Sequence, residues 1–589
     1  MMTSRKNAKY GIAIIGGGPT GLSALENLTI ELNRQSISEF PQLVQFDSAK
    51  NFGSGQVYSL GQPSTNWLNI PERSLWIKGR QKLIHKCFTI PAFPSYHDWI
   101  GWSKETRSEN DTDYFPARSH LGKYLNLRYR SIAEVLERAG ILLTVNEAIT
   151  EIDVVDDQFH ITSNKGNSYK VDQAALAIGH QPTELSAQLK KWEVHAAQHA
   201  NLSVFSEPYP VDRFISKQQQ LNQATIALRG FGLAMIDVVR ALSEGLGGKF
   251  KVVDPTTMTM SFKASKRMPK KIVPFSLDGL PMAPKPLNGG IDNWFQLSDN
   301  DKRYLDEYLK LKLEDAQHQE SHQFLVDVMA KTVSSIYLKL GHRRSDPQLP
   351  ESEIATLASS LMLNENLSHQ SIVPVDISAV ESMRLFVKMA TGCANVSLDY
   401  CLGQVWRHCQ PLLYERLSFT KLPVPVILKI IELDERMKRY SYGPPVASIQ
   451  QLLALFEAKI LTLNVVDDPD IEMSEKGWVF KEDGNVLTAN ILINTVLDAP
   501  RLSSVNSPIL KSLYAQNIIK EMHEELGALT YSDGFIMDPS GSANIRLAIL
   551  GRLANGSVIG IDSLDECFSD KIRAWARSAV MRYQKSIML

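Results

Sequence analysis

The sequence has no apolar run of the roughly 18–20 residues that a membrane-spanning helix needs, so no span is expected. It also has almost no net charge. Lys and Arg total 63 against 64 for Asp and Glu, so no field of one sign draws in nucleic acid or an anionic membrane surface. Cysteine is scarce and scattered: Cys87, Cys393, Cys401, Cys409 and Cys567 include no C-x-x-C pair. That excludes a disulfide scaffold, a zinc ribbon and a dithiol reductase. The first residues, MMTSRKNAKY, carry a few basic side chains but lead into an apolar strand, not a signal-peptide core. Together these absences set the expectation of a soluble, cytoplasmic protein with no nucleic-acid or membrane partner. At 589 residues, 44% hydrophobic and 22% charged, the chain exceeds what one core serves, so two or three domains are expected.

The most informative run is IAIIGGGPTG, Ile12–Gly21. An apolar strand enters a glycine turn and then the helical run LSALENLTIEL. Gly16, Gly18 and Gly21 stand at the G-x-G-x-x-G positions, with Pro19 and Thr20 between them. The first glycine permits the tight turn, the second lets a diphosphate approach the backbone, and the third lets helix pack close to strand. The helix start offers free N–H groups and the positive end of its dipole to phosphate. A second strand, Leu43–Phe46, ends in Asp47, at the place where an acid binds a ribose hydroxyl. This pattern points to an ADP-containing cofactor. The long Gly/Ser/Asn/Pro-rich loop that follows, Asn51–Pro71, is expected to lie over a ligand. In it Trp67, Leu68 and Asn69 supply a flat apolar wall and an amide suited to a flavin ring.

Further along, YFPARSHLGKY (Tyr114–Tyr124) opens a helix to Ala139, and ILLTVNEAITEIDVV reads as a strand. The strand Ala174–Gly179 ends in Gly179-His180-Gln181-Pro182. A second strand–turn–helix then appears: Ala224–Leu228, Gly230 and Gly232, and a helical run from Leu233 to Leu242. Its third fingerprint position is Met235, so helix and strand are expected further apart. The next strand is read in TTMTMSFKASKR, ending in Ser265, Lys266 and Arg267. A missing acid and two bases at that end favour a 2′-phosphate, hence NADPH over NADH. From roughly Asn300 to Phe456 amphipathic helical runs dominate. Their aromatic and basic side chains (Trp406, Arg407, His408, Arg436, Lys438, Arg439, Tyr440, Tyr442) are more readily explained as core aromatics and surface charges than as a site. After Ile460 strand texture returns, including Ile491–Val496, and NIRLAILGRLANGSVIGIDSLDE supplies a last strand and glycine turn with Gly551 and Ser557.

These pieces, in this order, resemble the FAD/NAD(P)-binding flavoproteins with two dinucleotide-binding folds, and are similar to class B flavin monooxygenases. The likeness is carried by GGGPTG, FGSGQVY with NWLNIP, FPARSHLGKYL, ALAIGHQP, GFGLAMIDVVRAL and LGRLANGS. It departs from the family at Ile178, where Ala-Thr-Gly is usual, and at Asn494-Thr495-Val496, where Asn-Ala-Thr-Gly is usual. The resemblance implies an α/β fold with two Rossmann-like domains and a helical insertion. The expected division is 1–205 and 501–589 for FAD, 206–299 and 457–500 for NAD(P), and 300–456 as a substrate or lid region.

It also implies an FAD-dependent oxidoreductase, foremost a monooxygenase that hydroxylates a small molecule with molecular oxygen through a C4a-hydroperoxyflavin. A non-oxygenating reductase and an FAD-binding sensor or assembly protein are the alternatives. No metal is expected and no nucleophile triad is visible. Asn69 and Arg118 are the expected catalytic positions, Arg118 as a cation near flavin or nicotinamide phosphates. The expected cofactor residues are Gly16, Gly18, Pro19, Thr20, Gly21, Asp47, Trp67, Gly179, Gly230, Gly232, Lys266, Arg267, Gly551 and Ser557.

Overall fold

The computed structural model describes residues 9–35, 37, 39–103, 107–156, 158–346, 348–364, 366–537 and 546–588. The basic residues of the N-terminal run before Lys9, and Asn544 and Ile545 of the last strand motif, lie outside them.

Strand β1 (Lys9–Ile15), helix α1 (Pro19–Arg34) and strand β2 (Leu43–Phe46) form the first βαβ unit, and β1 pairs with β2 in parallel. A small hairpin, β3 (Leu83–His85) and β4 (Phe88–Ile90), and α2 (Tyr96–Ile100) precede α3 (Arg118–Arg138). The run read as one strand after Ala139 divides into β5 (Leu142–Val145) and β6 (Ile149–Val155). Strand β5 extends the parallel sheet beside β2, whereas β6 turns back antiparallel with β7 (Gln158–Ser163) and β8 (Ser168–Leu176). Parallel strands here are near-continuously apolar because both faces are covered, as Leu43–Phe46 shows.

Helix α4 (Ala187–Ala197) and strand β9 (Ser203–Phe205) begin the second unit, N-terminal to the expected boundary at 206. The reason is packing. Leu189 and Trp192 share a core with Phe275 and Trp478, and β9 joins the second sheet. After α5 (Asp212–Ser216) and α6 (Gln218–Leu221), β10 (Thr225–Arg229) and α7 (Leu233–Leu242) repeat the strand–glycine–helix plan. The expected next strand is corrected by the structure. TTMTMSFKASKR contributes to an antiparallel ribbon, β11 (Lys249–Asp254) with β12 (Thr259–Lys263), outside the parallel sheet. The strand that pairs in parallel with β10 is β13 (Lys271–Phe275). An exposed, polar alternation in β11 and β12 suits a solvated ribbon, while Ile272, Val273, Pro274 and Phe275 are all buried.

The insertion then runs through α8 (Gly289–Asp292), α9 (Asp299–Glu314), α10 (Gln323–Lys339), α11 (Glu351–Leu363), α12 (Ala379–Ala390), α13 (Leu398–Leu417), α14 (Val424–Ser441) and α15 (Val446–Glu457). Its apolar stripes share one continuous core with the second unit, so it is not a loosely tethered module. A meander, β14 (Asp470–Ser474), β15 (Gly477–Glu482) and β16 (Asn485–Ala489), leads into β17 (Ile491–Asn494), which lies between β10 and β9. Helix α16 (Pro508–Ala515), strand β18 (Leu547–Ile549) and helix α17 (Asp570–Met588) return the chain to the first unit, where β18 pairs with β8. No helix of the described residues is long and apolar enough to cross a membrane.

Candidate cofactor and substrate site

The two glycine turns occupy equivalent places in their sheets. In the first unit the Gly16 N–H donates to Phe46 O (2.9 Å) and the Ala177 N–H to Ile15 O (2.7 Å); in the second, Gly230 donates to Phe275 O (2.7 Å) and Thr495 to Arg229 O (2.8 Å). Gly16 has φ +122° and Gly230 φ +113°, a region that favours glycine. A Cβ on Gly16 would sit 2.1 Å from Ala177 O, and one on Gly21 2.0 Å from Gly16 O. Helix α1 therefore packs tightly on its strand. In α7 the same position is Met235, which is buried in the core of the second unit.

Gly18 and Gly232 are the N-caps of α1 and α7, and neither helix has a side-chain cap. The space before each helix is open. A Cβ on Gly18 would meet only the Gly55 Cα, at 3.6 Å, and one on Gly232 only Met282 Sδ, at 4.0 Å. Each turn thus keeps a cradle that a single methyl group would fill, which fits a diphosphate. Pro19 and Thr20 form the first turn of α1. Gly551, φ +81°, comes back to this helix start: a Cβ there would lie 3.5 Å from Thr20 Oγ1. Asp47 stands at the end of β2. Its Oδ2 accepts the Gly17 N–H (3.2 Å), and Oδ1 accepts the N–H groups of Ala49 and Asn51 (2.9 Å each). Gly179, φ +63°, has open space around its Cα.

The loop Asn51–Pro71 crosses between the two units. Within it the buried atoms Thr65 Oγ1, Asn66 Oδ1 and Asn69 Oδ1 have no partner in the chain. Buried polar atoms are almost always paired, so three orphans in five residues fit a missing hydrogen-bonding ligand. Asn69 itself is held by its amide, which donates to Tyr442 O at 2.7 Å.

Several expected residues are placed elsewhere. Arg118 is engaged by side chains and backbone of the protein itself. Its Nη2 pairs with Asp237 of α7 (2.9 Å) and its Nε donates to Trp67 O (3.1 Å), so it bridges the two units. Burial works against the Arg118 charge, but Asp237 and neighbouring phenols hold its pKa above the ordinary value. Asp237 also accepts from the Tyr209 hydroxyl (2.7 Å) and pairs with Arg240 (3.4 Å). Trp67 has one ring face covered by the Arg240 guanidinium, 4.0 Å from the centroid, which takes that face from any flavin. Ser557 is buried and points inward, donating to Ala528 O (3.2 Å) and accepting the Thr530 N–H (3.1 Å). Lys266 and Arg267 lie at the wrong end of the sheet. The bonds Gln223 N–H to Met268 O and Lys270 N–H to Ala224 O fix them beside the start of β10. With five strand residues between, they stand about 16 Å from the Gly230 turn. The residue equivalent to Asp47 is Ser276, which follows Phe275 and donates from Oγ to Asp278 Oδ1 (3.1 Å).

Sequence reasoning missed Thr65, Asn66, Asp237, Ser276 and His180. Asp237 could have been noticed as an acid on the apolar helix α7; the others carry no signal of their own. His180 follows Gly179 and is exposed, with Arg552 and Asp498 the nearest charges. Arg407 and His408 do not join this site. With Arg73 they surround the buried Asp292, which despite burial they hold well below the usual carboxylate range.

A family described as FAD-NAD(P)-binding matches residues 13–181, the stretch from β1 to the turn after Gly179. The chain is also 26% identical over 245 residues to nitrosuccinic acid synthase npaA of Aspergillus oryzae; the match covers 41% of this chain and 36% of that protein. The chain thus spans little more than a third of the length of that relative. Among solved structures it is similar to cyclohexanone monooxygenase from Rhodococcus sp. Phi1 bound to NADP+ (12% identity, 98% of this chain and 85% of that one, TM-score 0.43). It is also similar to oxidised steroid monooxygenase bound to NADP (10% identity, 98% and 87%, TM-score 0.43).

Proposed function

We propose that the chain is an FAD-dependent oxidoreductase that draws electrons from NAD(P)H, foremost NADPH, and acts as a monooxygenase on a small molecule in the cytoplasm. The observation that carries this reading is the loop 51–71. It passes over the N-terminus of α1 at Gly55, reaches the second unit through Trp67 and the insertion through Asn69, and carries three buried polar atoms without a partner. The FAD-NAD(P)-binding match supports it.

In this reading Gly16, Gly18, Gly55 and the N-terminus of α1 bind the FAD diphosphate, with Asp47 on the adenosine ribose and Gly551 beside the chain that follows. Thr65, Asn66 and Asn69 would offer their unpaired oxygens to polar groups of the bound cofactor. Gly230, Gly232 and the N-terminus of α7 hold the diphosphate of the nicotinamide nucleotide, with Ser276 at the strand end that corresponds to Asp47. Bound FAD supplies the redox chemistry: it takes hydride from the nucleotide and delivers two electrons to oxygen, of which one atom enters the substrate and the other leaves as water. The chain itself orients the two cofactors, keeps the junction dry through the Arg118–Asp237 closure, and covers the substrate with the insertion 300–456.

The test is to load the protein with FAD, follow flavin absorbance without oxygen after adding NADPH or NADH, and then admit ¹⁸O₂ with substrate candidates. Bleaching followed by one labelled oxygen in product is the expected result. Bleaching without label in any product would leave a plain reductase. No bleaching with either nucleotide would reject electron transfer altogether and leave an FAD-binding sensor.

A further inference from the structure

After β13 the chain runs from Pro281 to Leu287 without regular secondary structure and is buried along nearly all of it. Irregular chain usually lies on the surface. At its start Met282 Sδ stands before Gly232, the cap of the nucleotide-binding helix. Two residues on, the Tyr400 hydroxyl donates to Pro284 O (2.9 Å), and the Lys285 N–H donates to Pro444 O (2.9 Å). The Lys285 side chain donates from Nζ to Gly443 O at 2.5 Å. The carbonyl just before that one, Tyr442 O, is held by Asn69 Nδ2. Lys285 and Asn69 thus hold adjacent carbonyls of the same segment, and Asn69 Oδ1 has no partner.

Lys285 is 8% exposed and is the one buried lysine among the described residues. No ion pair engages it among those residues. The charges that bear on it are Arg407 and Asp292, and Asp292 is already occupied by Arg73, Arg407 and His408. Lysine is almost never fully buried unless paired, because removing an ammonium from water is costly. A clamp on one neutral carbonyl uses a single donor of three and needs no charge. Burial and Arg407 accordingly hold the amine well below its ordinary range in the empty site. An arriving anion would supply the missing partner.

We propose that Lys285 anchors a carboxylate of the substrate, so that the molecules oxidised at this site are small carboxylic acids held between the Gly232 turn and Asn69. This rests on the flavoprotein reading above and gives it a substrate class. A charge-assisted hydrogen bond of this kind, in a site shielded from water, discriminates strongly between an acid and its neutral analogue.

The test titrates FAD-loaded protein with succinate, and with 1,4-butanediol as the uncharged control, by calorimetry on wild type, K285Q and K285R. Glutamine keeps a donor for Gly443 O but not the charge. Succinate should bind wild type, bind K285Q about tenfold or more weakly, and recover in K285R, while butanediol binds none of them. On wild type alone, succinate but not butanediol should protect Lys285 from reductive methylation, read by peptide mass; this arm stands even if K285Q fails to fold. Equal binding by K285Q, no succinate binding by wild type, or no protection overturns the proposal. Flavin content and anaerobic bleaching are recorded on the same samples. Yellow, reducible protein that ignores succinate sinks the carboxylate anchor alone, whereas colourless protein with Lys285-dependent binding sinks the flavoprotein reading alone.

Discussion

The two N-cap glycines separate binding from folding at single residues. Gly18 and Gly232 have ordinary negative φ angles and open space where a Cβ would go. Gly18→Ala and Gly232→Ala should therefore fold with unchanged melting temperature, yet the first should lose FAD and the second should raise the KM for nucleotide, each by about tenfold or more. Gly16→Ala, by contrast, drives a Cβ into the Ala177 carbonyl at positive φ and should fail to fold; equilibrium dialysis with FAD and a melting curve distinguish the three. On the proposed reading the basic turn takes no part in nucleotide choice. Lys266→Ala with Arg267→Ala should change the KM for NADPH by less than about twofold, because 16 Å of screened solvent and sheet exceeds the Debye length. Ser276→Asp, which restores the acid found at Asp47, should shift the NADPH-to-NADH ratio of kcat/KM about tenfold toward NADH.

Helices α3 and α7 meet through one carboxylate. Asp237 collects Arg118 from the first unit and Tyr209 and Arg240 from the second, and Arg240 in turn stacks on Trp67. Removing one member of a buried pair costs more than the pair itself contributes, since the other charge stays behind without a partner. Asp237→Asn should destabilise the protein by about 3 kcal/mol, measured by urea denaturation. Arg118→Met with Asp237→Leu should recover part of that loss, because it removes one charge of each sign; Arg240 then keeps only Gln451 and Ser448. An unchanged midpoint in Asp237→Asn would mean that α3 and α7 are held together by apolar contacts alone.

At the scale of the molecule, the first unit is completed by the chain end: β18 pairs with β8, α17 packs on α1, and Gly551 reaches Thr20. The proposed FAD site is thus built from segments more than five hundred residues apart in sequence. Ligand binding to the folded state alone stabilises by mass action, about 2.7 kcal/mol at a hundredfold excess over Kd. The flavin-stripped protein should therefore melt lower than the loaded protein, with the difference growing as FAD is added. Limited proteolysis should show the chain end around Gly551 protected by FAD. A melting temperature indifferent to FAD would contradict the placement of its site at the start of α1.

The first glycine fingerprint, both nucleotide-binding helices, Asp47 at its strand end and the helical character of 300–456 were all legible in the sequence. These are local matters: apolar runs of strand or helix period, and glycines whose φ or closeness of approach admits no other residue. The strand next to β10 was misread because TTMTMSFK alternates as well as any half-buried strand, and only the parallel pairing of Lys271–Phe275 shows which run the sheet takes. The protein partners of Arg118, Trp67 and Ser557 were not legible for a related reason. Each is a plausible ligand-facing type in a plausible motif, but a side chain's partner is set by whatever the fold brings opposite it, and Asp237, Arg240 and Ala528 come from distant segments. The orphaned acceptors at Thr65, Asn66 and Asn69 and the unpaired Lys285 belong wholly to the tertiary structure, because burial without a partner is a property of surroundings and not of residue type.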